Sequence, residues 1–522
     1  MKRISVFFLL IACVSGVALV HAASERTIRT DAGQLSGVTD ASGVTSYKGI
    51  PFAAPPVGNL RWQAPHSVIH WQGVKKADHF GNACYQIENH SRLPWTEPFM
   101  EQGPVNEDCL YLNVWTAAKS AQEHRPVMVW MYGGGFNEGA GSIAVYDGTE
   151  LAKRGIVLVN MNYRVGPLGF LVHPELTKES EHGTSGNYGL LDQIAALHWV
   201  HDNIGAFGGD PERVTIFGQS AGALSVYDLM QSPLAKGLFV RAIAESGPGL
   251  LGRNALGGQA TLAAREEAGA RWAESKGAHS LAALRALSAA DIFASTGSGG
   301  PELSNSPVPD GWVLPTAASA PPPNQAPLIV GMVADDIGIA PAGSSQTATV
   351  AAYHAANEKK YGQMAGEFFK LYPVTSDADV VQMGKTATRD QSRVSIDVWS
   401  ASQLKLSGKV YTYFFDRPEP WPEHPEFQAF HTSEVPYVFE TLAKIERPWE
   451  PVDHQVADAV SSYWINFGTS GDPNGKAVAN WPAYNADQHT TMELGAKMGP
   501  MPVAATPERL KFQQSYLDQA AR

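Results

Sequence analysis

The chain has 522 residues, 44% of them hydrophobic and 17% charged, against roughly 25% charged in an average soluble domain, so a disordered polyelectrolyte is excluded. Its 39 Lys and Arg against 51 Asp and Glu leave a charge of −12. No basic run stands ready to neutralise phosphates, so nucleic acid is excluded as the partner. Three Cys, with 50 Gly and 35 Pro that follow no period, exclude disulfide-rich miniprotein, collagen-like and coiled-coil readings.

Lys2 and Arg3 open the chain, an apolar stretch runs from Ile4 to Val20, and Val20-His21-Ala22 fits a small-residue cleavage site. Residues 1–22 are therefore expected to be a secretory signal peptide, with residues 23–522 forming one secreted or periplasmic domain. The apolar stretch is broken by Ser5, Ser15 and Gly16 and falls short of the about 20 residues a membrane span needs. Leu10-Ile11-Ala12-Cys13 also matches a lipobox, which would anchor the chain by a lipid on Cys13. The residues after Cys13 stay apolar where a lipid-anchored chain usually turns polar. Without the signal, 37 basic residues face 51 acidic ones, a balance of −14, and two cysteines remain, Cys84 and Cys109. In an exported chain they read as one disulfide, the alternative being two buried thiols.

Strand-like runs recur along the chain: Pro126–Tyr132, Ile156–Tyr163, Val214–Gly218, Val240–Glu245, Leu328–Met332 and Val410–Phe415. Continuous apolar runs separated by helices predict a sheet buried on both faces, hence an α/β fold. Residues 187–207 carry Leu190, Leu191, Ile194, Ala195, Leu197 and Trp199 at helical spacing, and Ala263–Ala289 predicts a pair of surface helices. Ser295–Pro309 and Pro315–Pro327 read as loops.

The strongest chemical signal is Gly218-Gln219-Ser220-Ala221-Gly222, between the strand Val214–Phe217 and the helical stretch Leu224–Gln231. Strand, turn and helix are the context that a G-x-S-x-G nucleophile elbow requires, and side chains at 218 and 222 would collide with the neighbouring strand and helix. A carbonyl attacked there develops an oxyanion, which needs donors already in place. Tyr132-Gly133-Gly134-Gly135-Phe136 supplies a glycine-rich loop of that kind, with the N–H groups of Gly134, Gly135 and Ala221 as the expected donors. A phosphate loop is excluded because no Gly-Lys-Ser/Thr follows.

These motifs, together with Gly49–Ala53, Glu107–Val114, Ser185–Gly189 and Ala206–Pro211, resemble the type-B carboxylesterases, the cholinesterase-like branch of the α/β hydrolases. The resemblance implies a mostly parallel central sheet flanked by helices, with large loop and helical insertions. It also implies a serine esterase without a cofactor, acting on small-molecule carboxylic esters through an acyl intermediate. The family's acid lies in an Asp-Glu-Gly stretch after a strand; here Asp335-Asp336 follows Leu328–Met332, with Asp336 in the place of the usual Glu. Asp is one methylene shorter, so either the loop sits closer or Asp335 serves instead. The family's histidine loop matches His431-Thr432-Ser433-Glu434, with Thr432 where Gly or Ser is usual, and His431 is the implied base. Glu434 reads as a structural hydrogen-bonding partner and Asp192 as a helix or core anchor. The family pairs the Cys of Glu-Asp-Cys-Leu with one upstream, which implies a Cys84–Cys109 bridge pinning Tyr85–Asp108 at the rim of the active site.

Cholinesterases place a Glu before the nucleophile; Gln219 stands there instead, which argues against choline esters. Phe136, Trp95 and Trp421 are candidates for lining a pocket or for core and rim. No metal is expected, since His66 and His70 lack a third ligand at zinc-like spacing, and no dinucleotide fingerprint is present. The alternatives are an amidase, a side-chain esterase on bulky natural esters, and a non-catalytic cholinesterase-like binding protein.

Overall fold

The computed structural model describes residues 24–247, 261–295, 303–316, 322–336 and 349–520. The expected signal segment and parts of both predicted loops lie outside these residues.

A twisted sheet forms the centre of the fold. Its strands are β1 (Ser24–Arg29), β2 (Gln34–Thr39), β3 (Thr45–Pro51), β4 (Val74–Lys76), β7 (Tyr111–Thr116), β8 (Arg125–Met131), β9 (Val157–Met161), β10 (Gly209–Gln219), β11 (Arg241–Glu245), β12 (Leu328–Val333), β13 (Val410–Phe415), β14 (Thr490–Leu494) and β15 (Met498–Pro502). The short strands β5 (Ala83–Cys84) and β6 (Val105–Asn106) pair with each other apart from it. The spatial order is β1-β2-β3-β7-β9-β8-β10-β11-β12-β13-β14-β15, with β4 beside β2. From β9 to β14 every pairing is parallel. Both edges are closed by antiparallel strands.

The six predicted strands are therefore the parallel centre of the sheet. Their apolar runs follow from burial on both faces: every residue of β9, β12 and β13 is buried. Trp130 of β8 sits at the middle of the core, its ring 4.8 Å from Phe217 and 5.0 Å from Phe439. The helices covering the sheet include α1 (Tyr188–Asn203), α2 (Ala221–Gln231), α3 (Asp377–Ser407) and α4 (Pro451–Ser470). The predicted surface pair appears as Leu262–Ser275 and Leu281–Ala286. A helical insertion, with Tyr353, Tyr361, Phe368 and Tyr372, builds its own aromatic cluster with Phe512 of the last helix. Among the described residues no helix is long and apolar enough to cross a membrane.

In a parallel sheet all strands end on the same side, and chemistry collects outside those carboxyl ends. β8, β10, β11 and β12 there deliver the Gly133–Gly135 loop, Ser220, Ser246 and the Asp335-Asp336 pair. Cys84 and Cys109 form a disulfide that closes residues 85–108 into a loop on this side. A bridge across 25 positions restricts the unfolded chain by about 3 kcal/mol. The Cys84→Ala/Cys109→Ala double variant should lose about that much stability in denaturant melts; midpoints equal to those of the wild type would contradict a stabilising role.

Candidate active site

Ser220 lies between β10 and α2 at φ 58° and ψ −121°, a conformation that a residue with a side chain adopts only under strain. Its N–H donates to the Glu245 carbonyl at 2.8 Å, and its carbonyl accepts from the Leu224 N–H at 3.0 Å. The flanking glycines make this turn possible. A Cβ on Gly218 would lie 2.7 Å from the Met131 oxygen and from the Gly222 backbone, and one on Gly222 only 2.0 Å from the Met131 oxygen. The serine thus stands at the N-terminus of α2, where the helix dipole favours a developing anion.

The Gly133–Gly135 loop lies directly over this turn. A Cβ on Gly133 would sit 3.0 Å from that of Ser220, and Gly134 and Gly135 have φ of 110° and 62°. Among the described residues the N–H groups of Gly134, Gly135 and Ala221 donate to no protein acceptor. Backbone N–H groups without a protein acceptor, on a loop lying over the serine turn and at the start of the following helix, are the kind of donor an oxyanion needs.

The two remaining loops are stitched together by their backbones. The Asp335 N–H donates to the Ala429 carbonyl at 2.9 Å, within a parallel bridge between Asp335 and Phe430. That register sets Asp336 next to His431, and the imidazole Nδ1 hydrogen-bonds the Asp336 carboxylate. The structure therefore separates the two acids that the sequence left open. Asp336 meets the imidazole, whereas Asp335 turns away to Lys385 at 2.6 Å and Arg389 at 2.9 Å.

His431 is 6% exposed. Burial alone would push its pKa down, but the Asp336 carboxylate, with Glu434 behind it, outweighs burial and holds it above the ordinary histidine value. Its Nε2 accepts a hydrogen bond from the Gln219 side-chain amide at 3.1 Å. Gln219 thus touches the histidine as well as preceding the serine, a contact that the sequence did not reveal.

Glu434 is buried and accepts from the Ser246 hydroxyl at 3.0 Å. Burial, and after it the Asp336 charge, raise its pKa to about 7. Behind it Glu245, fully buried and bonded by the Trp464 indole at 2.7 Å, is pushed well above the carboxyl range by burial and by Glu434. Glu245 and Ser246 went unread in the sequence, although their place at the end of a strand beside β10 was a usable signal. Asp192 anchors the core, bonded by the backbone N–H, Nε and Nη2 of Arg164 at 2.8 to 2.9 Å.

Ser220, Gly134, Gly135 and His431 all line one cavity of about 820 Å³. The disulfide-closed loop supplies much of its rim, from Gln86 to Val105. Trp95 of this loop lines the cavity and donates its indole N–H to the His431 carbonyl at 3.2 Å and to the Thr432 hydroxyl at 3.1 Å. Thr432 holds φ 91°, a left-handed backbone in which Gly is the easier choice. Phe136 instead packs in the core against Phe170, and Trp421 packs beneath the Arg447 guanidinium. Among the described residues no three His, Cys, Asp or Glu side chains converge as metal ligands.

A parallel sheet bearing a serine elbow at its carboxyl edge defines an α/β hydrolase. The carboxylesterase family model matches residues 24–513, and the chain belongs to this family of carboxylic ester hydrolases. It is 35% identical over 496 residues to the para-nitrobenzyl esterase of Bacillus subtilis (strain 168), covering 91% of this chain and 96% of that one. It is also 35% identical over 496 residues to the fumonisin B1 esterase of Sphingopyxis macrogoltabida, covering 90% of this chain and 86% of the relative. A solved PNB esterase structure superposes with a TM-score of 0.75 at 32% identity, covering 94% of this chain and 100% of that one.

Gly222→Ala places a methyl group 2.0 Å from the Met131 oxygen, so the elbow must shift. Its kcat/KM on a p-nitrophenyl ester should fall about 100-fold, the cost of an ångström-scale misplacement; wild-type kinetics would show that the close approach is unimportant.

Proposed function

We propose that Ser220 is the nucleophile of this carboxylic ester hydrolase, His431 its general base and Asp336 the carboxylate that orients the imidazole. The observation that carries the reading is the Asp336–His431 contact on the wall of the cavity that also contains Ser220. With Nδ1–H committed to Asp336, the imidazole keeps Nε2 as its proton acceptor. Nε2 exchanges the Gln219 amide for the Ser220 hydroxyl, removes its proton as the oxygen attacks the ester carbonyl, and returns it to the leaving alcohol. Gly134, Gly135 and Ala221 hold the tetrahedral oxyanion through their N–H groups. Water then repeats the sequence on the acyl-serine, regenerating the enzyme with release of the acid.

The substrates in this reading are small to medium carboxylic esters. A cavity of about 820 Å³ has room for a drug-sized molecule, and the neutral Gln219 beside the serine offers a choline headgroup no charge. We also propose that residues 1–22 direct export and that residues 23–522 form one mature domain, a reading supported by the disulfide, which belongs to oxidising compartments.

Short p-nitrophenyl esters should be turned over by the wild type, and Ser220→Ala should lower kcat at least about 10⁴-fold. An inert wild type or an equally active variant would refute the reading, and faster cleavage of matched amides than esters would replace it with an amidase.

The base must be neutral to act, so activity is lost as pH falls through the His431 pKa, which Asp336 and Glu434 hold above the ordinary histidine value. In Asp336→Asn, burial is opposed by Glu434 alone, so the acid limb should move to lower pH while the plateau falls about 10⁴-fold. Glu434→Gln removes the other raising charge and should move the limb the same way. A pH–rate profile of kcat/KM checks both, and an upward move in either variant would contradict the assigned roles.

A further inference from the structure

The carboxylate that does not reach the histidine is held more tightly than charge balance requires. Asp335 is 8% exposed, and two cations from successive turns of α3 converge on it. Lys385 Nζ, itself buried, donates to Oδ1 at 2.6 Å. Arg389 Nη2 lies 2.9 Å from both oxygens, and its Nε donates to the Ala334 carbonyl at 2.6 Å. The same two residues are tied through their backbones. The Ala334 N–H donates to the Phe415 carbonyl at 2.8 Å, and the Asp335 N–H to Ala429 at 2.9 Å. Ala334 and Asp335 are thus fixed from α3, from β13 and from the chain leading into His431, immediately before the residue that touches the imidazole.

That residue is an aspartate, whose carboxylate reaches about 1.5 Å less far from the backbone than a glutamate's would, the length of one C–C bond. A shorter acid is effective only if its backbone is brought nearer to the histidine and kept there. A single cation would neutralise Asp335, so the second cation and the guanidinium's grip on the Ala334 carbonyl serve position more than charge.

We propose that Lys385 and Arg389 are positioning residues for ester hydrolysis, clamping Asp335 so that the loop stands close enough for Asp336, rather than a longer acid, to orient His431. The proposal rests on the assignment of Asp336 and His431 made above. Neither cation touches the substrate. Arg389 also faces Asp416, whose carboxyl is raised to about 6 by burial and by Glu493, so the comparison belongs at a single pH above that transition.

The test is a double-mutant cycle between the clamp and the acid, with kcat counted per serine titrated by a phosphonate ester and with melting temperature followed in parallel. Arg389→Ala should lower kcat about 10-fold with KM within about twofold, because the loop drifts while the cavity persists. Arg389→Lys should recover kcat to within about threefold, since an ammonium still pairs with Asp335 though not with Ala334. Asp336→Glu alone should lose about 30-fold, because the extra methylene does not fit the clamped loop. Combined with Arg389→Ala it should be no slower than alone, since a released loop accommodates the longer acid.

Unchanged kcat in Arg389→Ala, or losses that simply multiply in the double variant, would overturn the clamp. Should Arg389→Ala fail to accumulate folded, the cycle is run with Lys385→Met, which removes the other cation from Asp335, and multiplying losses there overturn it equally. Failure of the underlying assignment looks different: Asp336→Asn would then keep full activity, whereas an inactive Asp336→Asn beside an unaffected Arg389→Ala condemns the clamp alone.

Discussion

A single backbone hydrogen bond, from the Asp335 N–H to the Ala429 carbonyl, sets the geometry on which the candidate site depends. It joins a loop leaving β12 to a loop that follows β13 by more than a dozen residues, and it fixes their register with Asp335 opposite Phe430. From that register Asp336 and His431 fall side by side. The imidazole orientation, its raised pKa and the exclusion of Asp335 from the histidine all follow. The sheet supplies the other half of the constraint. Because β8, β10, β11 and β12 are parallel, the Gly133–Gly135 loop, Ser220, Ser246 and the Asp335-Asp336 loop emerge on one side of the sheet.

The electrostatics of the site run in layers. His431 faces Asp336, Asp336 is backed by Glu434, and Glu434 is backed by Glu245. Burying this many carboxyl groups side by side is eased because burial and their neighbours raise Glu434 to about 7 and push Glu245 well above the carboxyl range, so the inner two shed charge more readily than an exposed carboxyl would. The surrounding anchors serve position more than charge. The disulfide-closed loop reaches back through Trp95 to the His431 carbonyl and the Thr432 hydroxyl, so the rim of the cavity and the histidine loop form one connected unit.

Much of this was legible in the sequence because the relevant signals are local. The parallel strands advertise burial on both faces by continuous apolar runs, and the elbow is confined to five residues whose glycines are dictated by contacts as close as 2.0 Å. The choice between Asp335 and Asp336 was not legible, since adjacent carboxylates differ only in where the chain turns them, and that is decided by a pairing 95 positions away. Gln219 was read as a neutral substitute for an acid, but its hydrogen bond to His431 depends on tertiary approach. The long helix α3 was missed as well. Gly384 and several β-branched residues weaken its intrinsic propensity, and in the fold it is held both by apolar residues such as Val380, Val394 and Ile396 and by the Lys385–Asp335 ion pair.

Ester hydrolysis through Ser220 predicts a covalent species that can be weighed. Mass spectrometry of the intact chain, acid-quenched during turnover of a slowly hydrolysed p-nitrophenyl ester, should show one acyl group per chain, and peptide mapping should put it on Ser220. Turnover without an adduct, or an adduct on any other residue, would contradict the mechanism at its centre.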